Sequence, residues 1–149
     1  MPTMYSYRTT AHWTAHKRGI VEGEGIPRTI NFAAPPEFSG EPGLWTPEHL
    51  LLASVSTCYV ATLRAVAEAS KFEFGSLELN VEGTIEKQEG GFRFTRILLR
   101  PVVTIDKEED RERMGRLLEK AERACLISRS LACTALLEPK ILVQEHVHA

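Results

Sequence analysis

The stretch Thr46-Pro47-Glu48-His49-Leu50-Leu51-Leu52-Ala53-Ser54-Val55-Ser56-Thr57-Cys58, continued by Tyr59-Val60-Ala61-Thr62-Leu63, decides how the rest of the chain must be arranged. Its first three residues supply an N-cap hydroxyl, a proline at the first helical position and an acid in the first turn, which together mark a helix start. From Leu50 to Leu63 no residue is charged, and small side chains alternate with large ones on every face. A helix that is apolar all round belongs in a core or a subunit interface, and this uncharged run is too short to span a bilayer. Charges return at Arg64, Glu68 and Lys71, so the helix is expected to fray out by Ser70. Cys58 lies in its middle.

Upstream, residues 1–34 alternate short β-like runs (Tyr5, Tyr7; Ile20, Val21; Ile30, Phe32) with Gly19, Gly23, Gly25 and Pro27, the pattern of a meander with tight turns. Ala33 to Gly43, dense in proline and glycine, reads as a loop. Downstream, Leu77, Leu79 and Val81 alternate with Glu78, Asn80 and Glu82, and Glu89-Gly90-Gly91 turns the chain into a second strand, giving a hairpin. In that second strand the apolar phase moves from even positions (Phe92, Phe94) to odd ones (Ile97, Leu99, Val103, Ile105), which predicts a β-bulge near Thr95 and Arg96. Residues 106 to about 125 predict an amphipathic helix with an acidic start and a stripe of Met114, Leu117, Leu118, Ala121 and Cys125. A turn around Ser128 to Ser130 and a final strand through Ile141, Val143 and Val147, interrupted upstream by Pro139, complete the order. The fold class is α+β, with the helices on largely antiparallel sheets and one domain over residues 1–149.

Eighteen basic against 20 acidic residues leave a formal net charge of -2, so there is no global field to hold nucleic acid or an anionic membrane. The N-terminus has no apolar run before a small-residue cleavage site, and no stretch reaches the roughly 18 apolar residues of a membrane span. Three cysteines, Cys58, Cys125 and Cys133, argue against a secreted disulfide scaffold. A soluble cytoplasmic protein with free thiols is expected.

An ordinary thiol has a pKa near 8.5 and is only about 3% thiolate at neutral pH, so a reactive cysteine needs a cation or an oriented donor. An arginine serves well: at about 4 Å and an effective dielectric near 20, it favours the thiolate by on the order of 4 kcal/mol before desolvation. A glutamate can orient that arginine, provided the arginine lies between it and the sulfur. Surroundings alone do not assign such a role to Cys58, Cys125 or Cys133. A cysteine in an apolar helix is more often an inert small hydrophobe.

The residues carry more than their surroundings. TPEHLLLASVSTC resembles the segment before the first reactive cysteine of the OsmC/Ohr family, and Cys125-Leu126-Ile127-Ser128-Arg129-Ser130-Leu131 resembles the segment that begins at the second. The family's proline-glutamate pair stands ten residues before its cysteine, as Pro47-Glu48 stands before Cys58. HWTAHKRGIVEGEG is similar to the region that carries the family's arginine, pointing to Arg18, with Arg28 the fallback. The resemblance covers nearly the whole chain. It implies the OsmC-like fold, an intertwined homodimer, and reduction of organic hydroperoxides by Cys58, which then forms a disulfide with Cys125 that a thiol or dithiol reductant reopens. Arg18 and Glu48 complete the implied catalytic set, and no cofactor or metal is called for.

On one straight helix Glu48 and Cys58 would lie about 15 Å apart along the axis, so Glu48 serves the site only through a bend or from a second subunit. Leu126 departs from the family, many of whose members have proline there, and Cys133 lies outside the pattern as either a packing residue or a competing resolver, packing being the reading favoured. Tyr59, Phe38 and Trp45 are candidates to line a substrate pocket. His12 and His16, four apart in a strand or loop, do not share a helical face as zinc motifs require, and His146 and His148 read as a polar tail. The alternatives are a non-enzymatic redox sensor or binding protein on the same fold and a general thiol-disulfide oxidoreductase. The second lacks a CxxC motif.

Overall fold

The computed structural model describes residues 2–144; the expected tail histidines His146 and His148, and Val147, lie outside the described residues. The chain divides into two compact units, Met1–Leu51 and Leu52–Ala149.

In the first unit the expected meander is present, except that the run at Tyr5 and Tyr7 is not a strand and the first strand begins at Thr9. Strands β1 (Thr9–Ala15), β2 (Arg18–Gly23) and β3 (Ile30–Ala33) form a three-stranded antiparallel sheet in the order β1-β2-β3. The loop that follows contains one short 3-10 turn, Pro36–Phe38. It doubles back so tightly that a Cβ on Gly40 would sit 1.6 Å from the Ala34 carbonyl oxygen, which excludes every other residue there. Helix α1 (Pro47–Ala69) then begins where the sequence marks it. Thr46 Oγ1 accepts the His49 N–H at 3.1 Å, an N-cap whose loss costs a helix about 1 kcal/mol.

In the second unit, β4 (Leu77–Gln88) and β5 (Gly91–Ile105) form a long antiparallel hairpin around a turn with positive φ at Gly90 and Gly91. Thr84 opposes Arg96 while Ile85 opposes Phe94, so Thr95 is the extra residue of a bulge at the predicted place. Beyond it, Ile97, Leu98, Leu99, Pro101, Val103, Thr104 and Ile105 are all buried, as befits a strand covered on both faces.

The expected helix from 106 begins later. A 3-10 turn, Glu108–Asp110, precedes α2 (Arg111–Ala124), because Arg111 folds back to hold both Glu108 carboxylate oxygens at 2.7 and 3.0 Å. The expected turn at Ser128 to Ser130 is instead the end of a single helical turn, α3 (Leu126–Arg129). The final segment is two strands, β6 (Ala135–Leu137) and β7 (Lys140–Val143), both parallel to β5. Parallel pairing needs a long crossover, and α2 with α3 supplies it. Pro101, which has no N–H to give, falls between the β5 residues that pair with β6 and those that pair with β7.

Helix α1 departs from the sequence reading in two respects. It runs 23 residues and is long and apolar enough, by length and composition, to cross a membrane. Its role here is that of a core helix on one side only: Val55, Tyr59, Leu63 and Ala67, four residues apart, are fully buried. The Tyr59 hydroxyl donates to the Leu118 carbonyl of α2 at 2.9 Å. Burial, followed by the charges of Glu122 and Cys125, pushes the Tyr59 pKa well above its ordinary value, so it stays a donor. Thr57, Val60 and Ala61 on the other side are exposed.

Candidate active site

Cys58 and Cys125 come from different elements and meet. Cys58 projects half-buried from the middle of α1. Cys125 is fully buried at the junction of α2 and α3, where an extended backbone (φ -63°, ψ 112°) breaks the helix. This break redirects the chain so that the first amides of α3 face the Cys58 sulfur, while the two cysteine side chains are hydrogen-bonded to each other.

The electrostatics separate the two thiols. Burial raises the Cys58 pKa, but the Ile127 N–H, the Cys125 thiol, the Thr62 hydroxyl and the Leu126 N–H together bring it below the ordinary value. Thr62 contributes least in our reading. Its single proton already goes to the Cys58 carbonyl at 2.7 Å, and its oxygen is 3.9 Å from the sulfur, so it favours the thiolate only after releasing that bond. Cys125 moves the other way: burial pushes its thiol up, Ser128 partly offsets this through its hydroxyl and N–H, and the neighbouring Cys58 charge pushes it up again. The two thiols are therefore unequal: Cys58 gives up its proton more readily than its neighbour, and the Cys125 thiol is placed to donate to it.

The other residues singled out by sequence have surroundings of their own. Arg18, at the start of β2, pairs with Glu41 at 3.0 Å beside a cleft lined by His16, Lys17, Arg18, Ser39, Gly40 and Glu41. Glu48, in the first turn of α1, keeps Oε1 buried with no hydrogen-bond partner. Both belong to the first unit, and the donors that favour the Cys58 thiolate within the second unit are mostly amides and a thiol. Arg28 is exposed in the β2–β3 loop, and Cys133 is half-buried between α3 and β6. Tyr59 cannot line an open pocket, being fully buried with its hydroxyl engaged. Trp45 is half exposed beside His49. Phe38 is half-buried at the end of the 3-10 turn. His12 bonds Glu22 at 3.1 Å across the β1–β2 pair. Among the described residues no group of three or more His, Cys, Asp or Glu side chains could hold a metal ion. Sequence reasoning missed Ser128, although its place three residues after Cys125 brings it one helical turn back toward that cysteine.

The Leu126 position makes one prediction. It is the first residue of α3, follows an extended residue, and gives its N–H to the Cys58 sulfur. Proline fits such a position but has no N–H. Leu126→Pro should keep the fold and raise the Cys58 pKa, with the about 0.4–1 kcal/mol from its stiffer unfolded chain offset by the lost N–H···S bond, so that stability does not rise. Thermal unfolding together with the pH dependence of Cys58 alkylation would check both halves.

Known proteins place this geometry. Residues 40–139 match the family model described as OsmC-like protein. The uncharacterized protein YmaD of Bacillus subtilis is 30% identical over 125 residues, covering 81% of this chain and 83% of that one. An OsmC-like protein from Mycoplasma pneumoniae superposes with a TM-score of 0.80 at 17% identity, over 94% of this chain and 99% of the other. An organic hydroperoxide resistance protein from Elizabethkingia anophelis gives 0.75 at 22%, over 97% and 100%. These structures share the fold. With the family model spanning the buried helix, the long hairpin and both facing cysteines, the chain belongs to the OsmC-like family.

Proposed function

We propose that the chain is a thiol-dependent peroxidase that reduces organic hydroperoxides, with Cys58 as nucleophile and Cys125 as resolving thiol. One observation carries this reading: the two sulfurs share a hydrogen bond, and their surroundings drive their pKa values apart. Divergent values in a facing pair are the mark of a division of labour. The name of the Elizabethkingia relative supplies the substrate class.

In the first step the Cys58 thiolate attacks the peroxide oxygen. A sulfur–oxygen bond forms, the oxygen–oxygen bond breaks, and the alkoxide takes a proton and leaves as the alcohol. Cys58, now a neutral sulfenic acid, no longer repels charge on Cys125. The Cys125 thiolate then attacks the Cys58 sulfur, forming the disulfide while hydroxide departs and is protonated to water. A dithiol returns two electrons and reopens the bond. The loss of negative charge on Cys58 thus releases its partner for the second step, which gives the cycle its order.

Arg18 and Glu48 are proposed to complete the site in an assembled homodimer. The unpartnered Glu48 carboxylate oxygen calls for a donor, and the open apolar side of α1 calls for a cover. Because α1 is helical from Pro47 to Ala69, Glu48 acts on the Cys58 of the other copy. Residues 1–149 are taken to work as one domain in the cytoplasm. The test is turnover of cumene or tert-butyl hydroperoxide with a dithiol, followed by peptide mapping after one equivalent of peroxide. Turnover with a Cys58–Cys125 disulfide is expected; no turnover, or a disulfide that excludes Cys58, would retire the proposal in favour of a non-enzymatic role.

A further inference from the structure

We infer that Ser128 is a positioning residue for the resolving half of the cycle: its hydroxyl supports the Cys125 thiolate as that sulfur closes the disulfide. The inference rests on the peroxidase reading above and adds a residue to it. Ser128 Oγ is buried, yet it has no hydrogen-bond partner, an arrangement that ordinarily costs about 1–3 kcal/mol. A helical serine can usually avoid that cost by donating to the carbonyl one turn back, as Ser130 does to Leu126 at 2.9 Å in this same segment. Ser128 does not. It stands three residues after Cys125, on the turn that Cys125 caps, and both its hydroxyl and its N–H face the Cys125 sulfur.

A neutral thiol is a weak acceptor, so the hydroxyl gains little while Cys125 is protonated. A thiolate is a strong one. The orphaned donor therefore becomes satisfied when Cys125 ionises, which is the state required to attack the sulfenic acid. The side chains around Cys125 act in opposition: Cys58 holds its proton on while it is itself a thiolate, and Ser128 draws the proton off once Cys58 is oxidised. Ser128 needs no contact with the peroxide.

The size of the effect follows from two opposed trends. Raising the Cys125 pKa by about one unit lowers its thiolate fraction tenfold but increases the nucleophilicity of each thiolate by about threefold. Disulfide closure should therefore slow by about threefold at neutral pH, and its pH profile should shift up by about one unit. Ser128→Ala and Ser128→Thr are the variants, the second restoring the hydroxyl. Stopped-flow and dimedone trapping measure closure relative to Cys58 sulfenic acid formation. A parallel titration follows the ultraviolet absorbance of the Cys125 thiolate in a Cys58→Ser, Cys133→Ser background, with and without Ser128→Ala, and needs no peroxide. An upward shift of that titration, reversed by threonine, supports the assignment. An unchanged titration overturns it, whatever the peroxide assay gives. A shifted titration without peroxide turnover would instead retire the peroxidase reading while Ser128 kept its role on Cys125.

Discussion

Cys58→Ser is expected to reduce hydroperoxide turnover by on the order of a thousandfold or more, because serine lacks both the ionised form and the polarisable sulfur that the first step uses. Cys125→Ser should behave differently, and the contrast is the informative part. Its Cys58 keeps the Ile127 and Leu126 amides and loses only the thiol donor, so it should still consume about one equivalent of peroxide. It then stalls. Without a partner sulfur the sulfenic acid persists, and excess peroxide drives it to the sulfinic acid. Rapid-mixing assays and intact mass spectrometry separate the two variants: silence in one, a single burst and overoxidation in the other. Equal loss of the burst in both would contradict the division of roles between the sulfurs.

The second large effect is on stability. A Cys58–Cys125 disulfide closes a loop of roughly 70 residues, which by chain entropy is worth about 4 kcal/mol. Peroxide-treated protein should therefore unfold at a higher denaturant concentration than the reduced form, and dithiothreitol should abolish the difference. Cys125→Ser should show no such gain. For a chain of this size about 4 kcal/mol corresponds to a shift in Tm of roughly 8–16 °C. A gain retained in Cys125→Ser would assign the bridge to Cys133. Redox state would then be readable from stability alone.

Much of this arrangement was legible because local chemistry is strongly stated. Thr46-Pro47-Glu48 fixed the start of α1, and the change of apolar phase between Phe94 and Ile97 located the bulge to within a residue. What escaped was non-local or short. Ala135–Leu137 is too brief for an alternation to register, and its parallel pairing with Ile97–Leu99 joins residues nearly forty positions apart. Ser128, between isoleucine and arginine in a run of polar residues, reads as a surface turn. Only the fold reveals that its hydroxyl is buried. The pairing of Arg18 with Glu41 was hidden for a related reason: it depends on how the loop after β3 returns, not on the spacing of either residue.

The parallel attachment of β6 and β7 has a consequence for the birth of the chain. During synthesis β5 finds β4 at once, since the hairpin is local, but its opposite edge at Ile97–Leu99 and Val102–Ile105 stays unpaired until residues 135–143 have left the ribosome. At 5–20 residues per second that interval lasts several seconds, with one of the most apolar strands of the protein open along one side. The nascent chain is thus most vulnerable to association with its neighbours until residues 135–143 emerge, and a ribosome stalled within α2 would display an adhesive strand that the folded protein conceals.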